Sequence, residues 1–159
     1  MPRVKRYHVE RGAIEGNADI IDGSIPAKKL QTNAISFIIP ILGIYERTGL
    51  AADSTGVKYE GPRFKIDTNG LKSAKIRATW TASETDSETA IELYDVTAGS
   101  VVGSVSGNAG TDVESDELKD AITSGNLFEL RVNVTTASAT AGATTDVKYA
   151  ILELVYGYS

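Results

Sequence analysis

The sequence predicts an all-β domain, an antiparallel β-sandwich of jelly-roll type with one short helix near 115–124. Three observations predict it. Short apolar runs of alternating polarity recur between Val57 and Tyr156. Clusters of Gly, Asn, Asp, Ser and Thr separate those runs. Only one stretch carries a helical signature, whereas a parallel α/β sheet needs a helix after most strands. About eight strands at this spacing make a sandwich, and a jelly roll is the best single topology.

Residues 1–34 read as an extended N-terminal arm without helical periodicity, and residues 35–159 as the folded body. The body opens on Ile35-Ser36-Phe37-Ile38-Ile39-Pro40-Ile41-Leu42-Gly43-Ile44. That run is about half the length of a membrane-spanning helix and Pro40 interrupts it, so a strand is expected and not a span. Val57, Tyr59, Phe64 and Ile66 flank a Gly61-Pro62 break, which predicts two short strands or one bulged edge strand. Asp67-Thr68-Asn69-Gly70 supplies a turn. From Lys75 to Thr81 the pattern alternates strictly, with Ile76, Ala78 and Trp80 on one face. Ile91 and Leu93 continue it, and Thr97-Ala98-Gly99-Ser100 turns the chain into Val101–Val105.

The helix expected near 115–124 would start on Ser115 as its cap. Asp116 and Glu117 suit its positive end, Leu118, Ala121 and Ile122 form its stripe, and Gly125 follows it. Phe128, Leu130, Val132 and Val134 then share a face opposite Glu129, Arg131 and Asn133. The last run, Val147 to Tyr156, is apolar on both faces, as in a central strand or one covered by a neighbour.

With 159 residues, 42% hydrophobic and 23% charged, the chain holds enough material for one core and is not compositionally disordered. It contains no Cys, which excludes disulfides and thiolate metal sites. The net charge of -5 is uneven. Residues 1–11 carry Arg3, Lys5, Arg6 and Arg11 against Glu10, a total of +3; the remainder holds 12 basic and 20 acidic residues, a total of -8. A basic arm could touch nucleic acid or an acidic neighbouring subunit, but a solvated terminus is the stronger expectation. No apolar segment follows the charged start and the chain begins at Met1, so no signal peptide is expected. The expected location is a virion or the extracellular space, the latter by a leaderless route.

The only histidine is His8, inside the arm, so a Ser-His-Asp or Cys-His arrangement has no well-placed base. No HExxH, P-loop or dinucleotide fingerprint occurs. Carboxylates such as Asp86, Glu88, Glu92 and Asp95 could pair for glycoside hydrolysis, but acids in polar loops are expected anyway. No catalytic residue is assigned. Asp112, Glu114 and Asp116 alternate in one expected loop and are the candidate metal ligands, with calcium as the ion, against a plainer reading as helix-capping and solubilising acids. Trp80 and Tyr94 are the candidate glycan contacts. For Trp80, core packing is the stronger expectation because it shares its face with Ile76 and Ala78. Tyr45, Tyr59, Tyr156 and Tyr158 are the better surface aromatics. Asn133-Val134-Thr135 matches a glycosylation sequon, a pattern short enough to arise by chance.

Two stretches carry a resemblance. Asn17-Ala18-Asp19-Ile20-Ile21-Asp22-Gly23-Ser24-Ile25-Pro26-Ala27-Lys28-Lys29-Leu30 resembles connectors of phage tail-fibre and other virion proteins. Ile91 to Gly103 resembles the central hairpin of jelly-roll modules in virion and carbohydrate-binding proteins. The resemblance implies a virion structural protein, with the first stretch lying as an arm over identical subunits or other virion proteins. The residues suggest the same: Ile20, Ile21, Ile25 and Leu30 need a surface to cover, and the two-faced run ending at Tyr156 needs cover. Phe37, Ile38, Ile39, Tyr156 and Tyr158 complete the expected assembly set. The expected function is a non-enzymatic subunit of a homo-oligomer, a trimer in the leading form. A carbohydrate-binding module and an extracellular filament subunit polymerising by strand donation are the alternatives.

Overall fold

Alternation along the sequence becomes nine strands in the structure, a computed structural model that describes residues 36–157. In chain order they are β1 (Ser36–Ala51), β2 (Gly56–Glu60), β3 (Phe64–Lys65), β4 (Leu71–Ala82), β5 (Glu88–Asp95), β6 (Ser100–Gly107), β7 (Ala109–Glu114), β8 (Leu127–Thr136) and β9 (Thr144–Gly157). They form two antiparallel sheets. One has the order β1-β9-β4-β7, and the other has β2-β8-β5-β6 with β3 added on β8.

The pairing is nested. β5 pairs with β6, β4 with β7, β2 with β8, and β1 with β9. A ribbon folded over on itself in this way is a jelly roll. The innermost hairpin is β5–β6, where the Ile91–Gly103 resemblance lies. Its turn is held by Asp95, whose carbonyl accepts from Gly99 N at 2.8 Å and whose carboxylate accepts from Ala98 N at 2.9 Å. The expected arm, residues 1–34, and Tyr158 lie outside the described residues.

The core fills the space between the sheets. Ile76, Ala78 and Trp80 of β4 and Val147, Ala150 and Leu152 of β9 face Ile91 and Leu93 of β5 and Phe128, Leu130 and Val132 of β8. The alternation on β4 and β8 thus buries the predicted faces. The two-faced run is explained by position: β9 is central, flanked by β1 and β4.

The expected helix is reduced to one 3-10 turn, Lys119–Ala121. Its side-chain cap is missing because Ser115 is used elsewhere. Ser115 Oγ accepts from Ile76 N at 3.0 Å and donates to the Asp116 carbonyl at 2.7 Å. Leu118 and Ile122 still turn into the core. The segment therefore still contributes its apolar side chains to the core, but strand β4 takes hydrogen bonds a helix would have used, with Ser115 N donating to the Ile76 carbonyl and Leu118 N to the Ala74 carbonyl.

Two glycines let the strands cross closely. A Cβ on Gly43 of β1 would lie 2.5 Å from Leu130 Cδ1, and one on Gly61 would strike the Gly43 carbonyl oxygen. Gly61 N instead donates to the Leu130 carbonyl at 2.8 Å. Gly43→Ala should therefore cost about 1–3 kcal/mol through overpacking. Leu130→Ala alone should cost about 2–5 kcal/mol. The double variant should lose less than the two together, because the added methyl enters the space Leu130 leaves. Urea unfolding followed by the fluorescence of Trp80, the sole tryptophan, reads all three; strict additivity would show that Leu130 is not what confines Gly43.

Candidate assembly surface

The two outer faces of the sandwich differ in chemistry. On the β2-β8-β5-β6 sheet, Glu129, Arg131 and Asn133 of β8 stand opposite Tyr94, Glu92 and Ala90 of β5. Glu129 is only 1% exposed yet charged. It is held by Arg63 Nε at 3.0 Å and Arg131 Nε at 2.6 Å. Arg131 also reaches Glu60 at 3.1 Å, and its guanidinium sits 3.4 Å from the Tyr94 ring centroid. Buried Glu92 accepts from Asn133 Nδ2 at 2.8 Å. A buried carboxylate is tolerable only when paired and hydrogen-bonded, and this network pairs its members with one another.

On the other sheet the outer face is divided. Its β4–β7 half is charged. Arg77 pairs with Asp112 at 2.6 Å and Glu153 at 3.5 Å, and Lys75 with Glu114 at 2.6 Å. Asp112 sits in a bulge at φ 48°, and its N–H donates to Thr79 Oγ1 at 2.9 Å. Tyr149 Oη donates to its other carboxylate oxygen at 2.7 Å. The hydrogen bond from Tyr149, with that from Arg77 and the guanidinium charge, holds the Asp112 carboxyl below the 3.8 of a free aspartate.

The β1–β9 half is richer in apolar side chains, with Glu153 of β9, opposite Pro40 and paired with Arg77, standing between Ile151 and Val155. Directly paired residues of antiparallel strands share a face. Ile38 pairs with Val155 and Tyr45 with Tyr149, and Ile151 lies between those rows on the same side. Ile38 is 60% exposed and Tyr45 67%. Ile39 points to the opposite, inner side beside buried Leu154, yet it is 41% exposed. The start of β1 thus reaches past the cover of the second sheet and shows isoleucine on both sides.

The free edge of β1 is blunted. Pro40 has no N–H to donate, and the ladder is broken by bulges between Leu42 and Ile44 and between Arg47 and Leu50. Proline and bulges are devices that stop an edge from accepting another strand. This surface therefore offers a partner its side chains more readily than its backbone.

The structure places the sequence-derived candidates as follows. Ile38 and Ile39 are exposed on β1; Phe37 is in β1, opposite Tyr156 in register, with its side chain outside the described set. Ile20, Ile21, Ile25, Leu30 and Tyr158 lie outside the described residues. Tyr156 is engaged within its own chain: it packs against the core, and its hydroxyl donates to the Asp67 carbonyl at 2.6 Å. Trp80 is fully buried, with Nε1 donating to the Gly107 carbonyl at 3.1 Å, so it is not a glycan contact. Tyr94 is half-buried under Arg131. Asp112 and Glu114 are taken up by Arg77 and Lys75, and Asp116 is exposed. Among the described residues, no three His, Cys, Asp or Glu converge as a metal site.

Sequence reasoning missed two things. The Glu129 network leaves a signal, since charged residues alternate with core residues along β8, but its partner Arg63 comes from a distant crossing segment. The pairing of Ile38 with Val155 has no sequence signal, because it depends on the register of strands more than 100 residues apart.

Several acids, among them two considered for catalysis and one expected at the helix start, serve as clamps. Asp86 accepts from Ala139 N at 2.9 Å, Asp95 from Asn126 Nδ2 at 2.7 Å, and Glu117 from Ala74 N at 2.6 Å. Asp112 gives the clearest pH test. Its folded pKa lies below its unfolded one, so its contribution is present above the unfolded value and disappears as pH falls through the folded value. Asp112→Asn keeps the positive φ tolerable and removes the charge. The gap in unfolding midpoint between the two proteins should be wide at pH 7 and shrink below pH 3.8; a gap independent of pH would assign the loss to something other than the carboxylate. No family model matches this chain, and no curated protein sequence matches it.

Proposed function

We propose that this protein is a non-enzymatic structural subunit that builds a homo-oligomer, in the leading form a virion capsid, decoration or fibre-head component. One observation carries the reading: Ile38 and Tyr45 stand exposed on the outer face of edge strand β1, beside Ile151 and Val155 of β9. Apolar side chains gathered on one sheet face, beside a polar half, mark an interaction surface. The jelly roll is used by capsid and lectin domains alike, so the fold supports the reading without deciding it. The resemblance of Asn17–Leu30 to virion connectors supports the virion setting.

The alternatives have weaker support. Glycan binding has lost Trp80 to the core, and Arg131 covers one face of Tyr94. Polymerisation by strand donation would use the edge of β1, where Pro40 and two bulges interrupt the ladder.

Size-exclusion chromatography with light scattering on the full chain tests the proposal. A closed oligomer of fixed stoichiometry is expected, dissociating on dilution. Ile38→Lys should weaken association by more than tenfold, since burying an isoleucine is worth about 1.5–3 kcal/mol and 1.4 kcal/mol is tenfold. Its unfolding midpoint should stay near that of the unaltered chain, because Ile38 is exposed within one subunit. A monomer at every concentration would sink the proposal.

A further inference from the structure

We infer that the apolar strip on β1 and β9 is covered by residues 18–30 of a neighbouring copy, so that identical subunits exchange arms. This rests on the self-association proposed above and names its occupant.

The place where the chain enters the body is the first support. Ser36 stands opposite Gly157, so the polypeptide before β1 joins the sheet at the end where β9 finishes. Thirty-five residues precede that point. An arm continuing the line of β1 leaves its own sheet behind. To cover its own Tyr45 it would have to reverse within Gln31-Thr32-Asn33-Ala34-Ile35, where Asn33 is the one strong turn former and neither Gly nor Pro occurs.

Length and chemistry also fit. Thirteen residues in extended form span about 40 Å, close to the roughly 50 Å of the 16-residue β1. Ile20, Ile21, Ile25 and Leu30 supply apolar side chains of the type the strip would bury. Pro26 makes this segment a poor ladder strand, which matches a docking surface that offers side chains instead of a free edge.

Charge favours arm on body over body on body. Residues 1–35 hold six basic and four acidic residues, a total of +2, and residues 36–159 hold ten basic and 17 acidic, a total of -7. Two bodies repel; residues 18–30 total zero and so add no repulsion, and the positive excess in residues 1–17, four basic against two acidic, draws the arm toward an acidic body.

Because the chain has no Cys, single thiols can be placed cleanly. Full-length Ile25→Cys and Ile38→Cys are mixed, re-equilibrated through dilution and concentration, and treated with a short bis-maleimide. A double variant, I25C/I38C, is treated in parallel. Exchange predicts a crosslinked dimer in the mixture beyond that of either single variant, and inter-copy products from the double variant. An intrachain product alone would show that the arm lies on its own subunit and overturn the inference. No arm-to-strip product of either kind overturns it as well. A second measurement separates this failure from that of self-association. Full-length I20D/I21D/I25D should lose the oligomer seen by light scattering. If it keeps the oligomer while Ile38→Lys loses it, self-association stands and arm exchange falls.

Discussion

The rest of the structure depends on the double ladder of β9. This strand is paired along most of its length on both edges, with β1 from Ser36 to Ala51 and with β4 from Leu71 to Ala82. The last strand of the chain thereby unites the first strand with the middle one. Its inward residues, Val147, Ala150, Leu152 and Leu154, fill the core, and its outward residues, Ile151 and Val155, form half of the apolar strip. One strand serves both purposes because its side chains alternate and eight of its ten residues from Val147 to Tyr156 are apolar or aromatic, Lys148 and Glu153 being the exceptions.

Nesting follows from that ladder. Once β1 lies on β9, β2 falls on β8 and β4 on β7, and only β5–β6 is closed by a short turn. Nearly all pairings then join residues distant in sequence, and loop closure must precede the contacts that reward it. Close approach at the crossings requires small residues where strands pass over one another. Gly43 and Gly61 meet there, backbone against backbone, above Leu130.

The outer faces show how the sandwich treats charge. On one sheet, Glu129, Arg131, Arg63, Glu60, Tyr94, Glu92 and Asn133 satisfy one another, which makes a stiff, internally committed surface. On the other, Arg77, Asp112, Lys75 and Glu114 do the same over the β4–β7 half and draw in Glu153 and Tyr149 of β9, so that the polar groups β9 shows on this face are already engaged. Among the described residues the only buried side-chain polar atom lacking a partner is Arg77 Nε. A surface whose charges are already spent locally has side-chain hydrophobicity, and the net charge of the chain, left to offer a partner.

Local patterning marked most of the strands and their inward faces, but it left β7 (Ala109–Glu114) unread and proposed a ten-residue helix where one 3-10 turn stands. Period-two alternation put Ile76, Ala78, Trp80, Phe128, Leu130, Val132 and Val134 in the core, because a strand buries every second residue whatever its neighbour. It also marked the β5–β6 hairpin, since a short turn is a local property. Position 115 was legible only in part: Ser115 has the chemistry of a helix cap, but its hydroxyl accepts from the Ile76 N–H of β4, and tertiary bonding displaced a helix that was marginal at ten residues. Tertiary structure alone decided the rest. Register set which apolar residues of β1 and β9 stand together, and it put Arg63 over Glu129 and Arg77 beside Asp112, pairings that join positions dozens of residues apart. A sequence states what each residue can do locally; which surface those residues make depends on long-range strand pairing, and no local pattern encodes that.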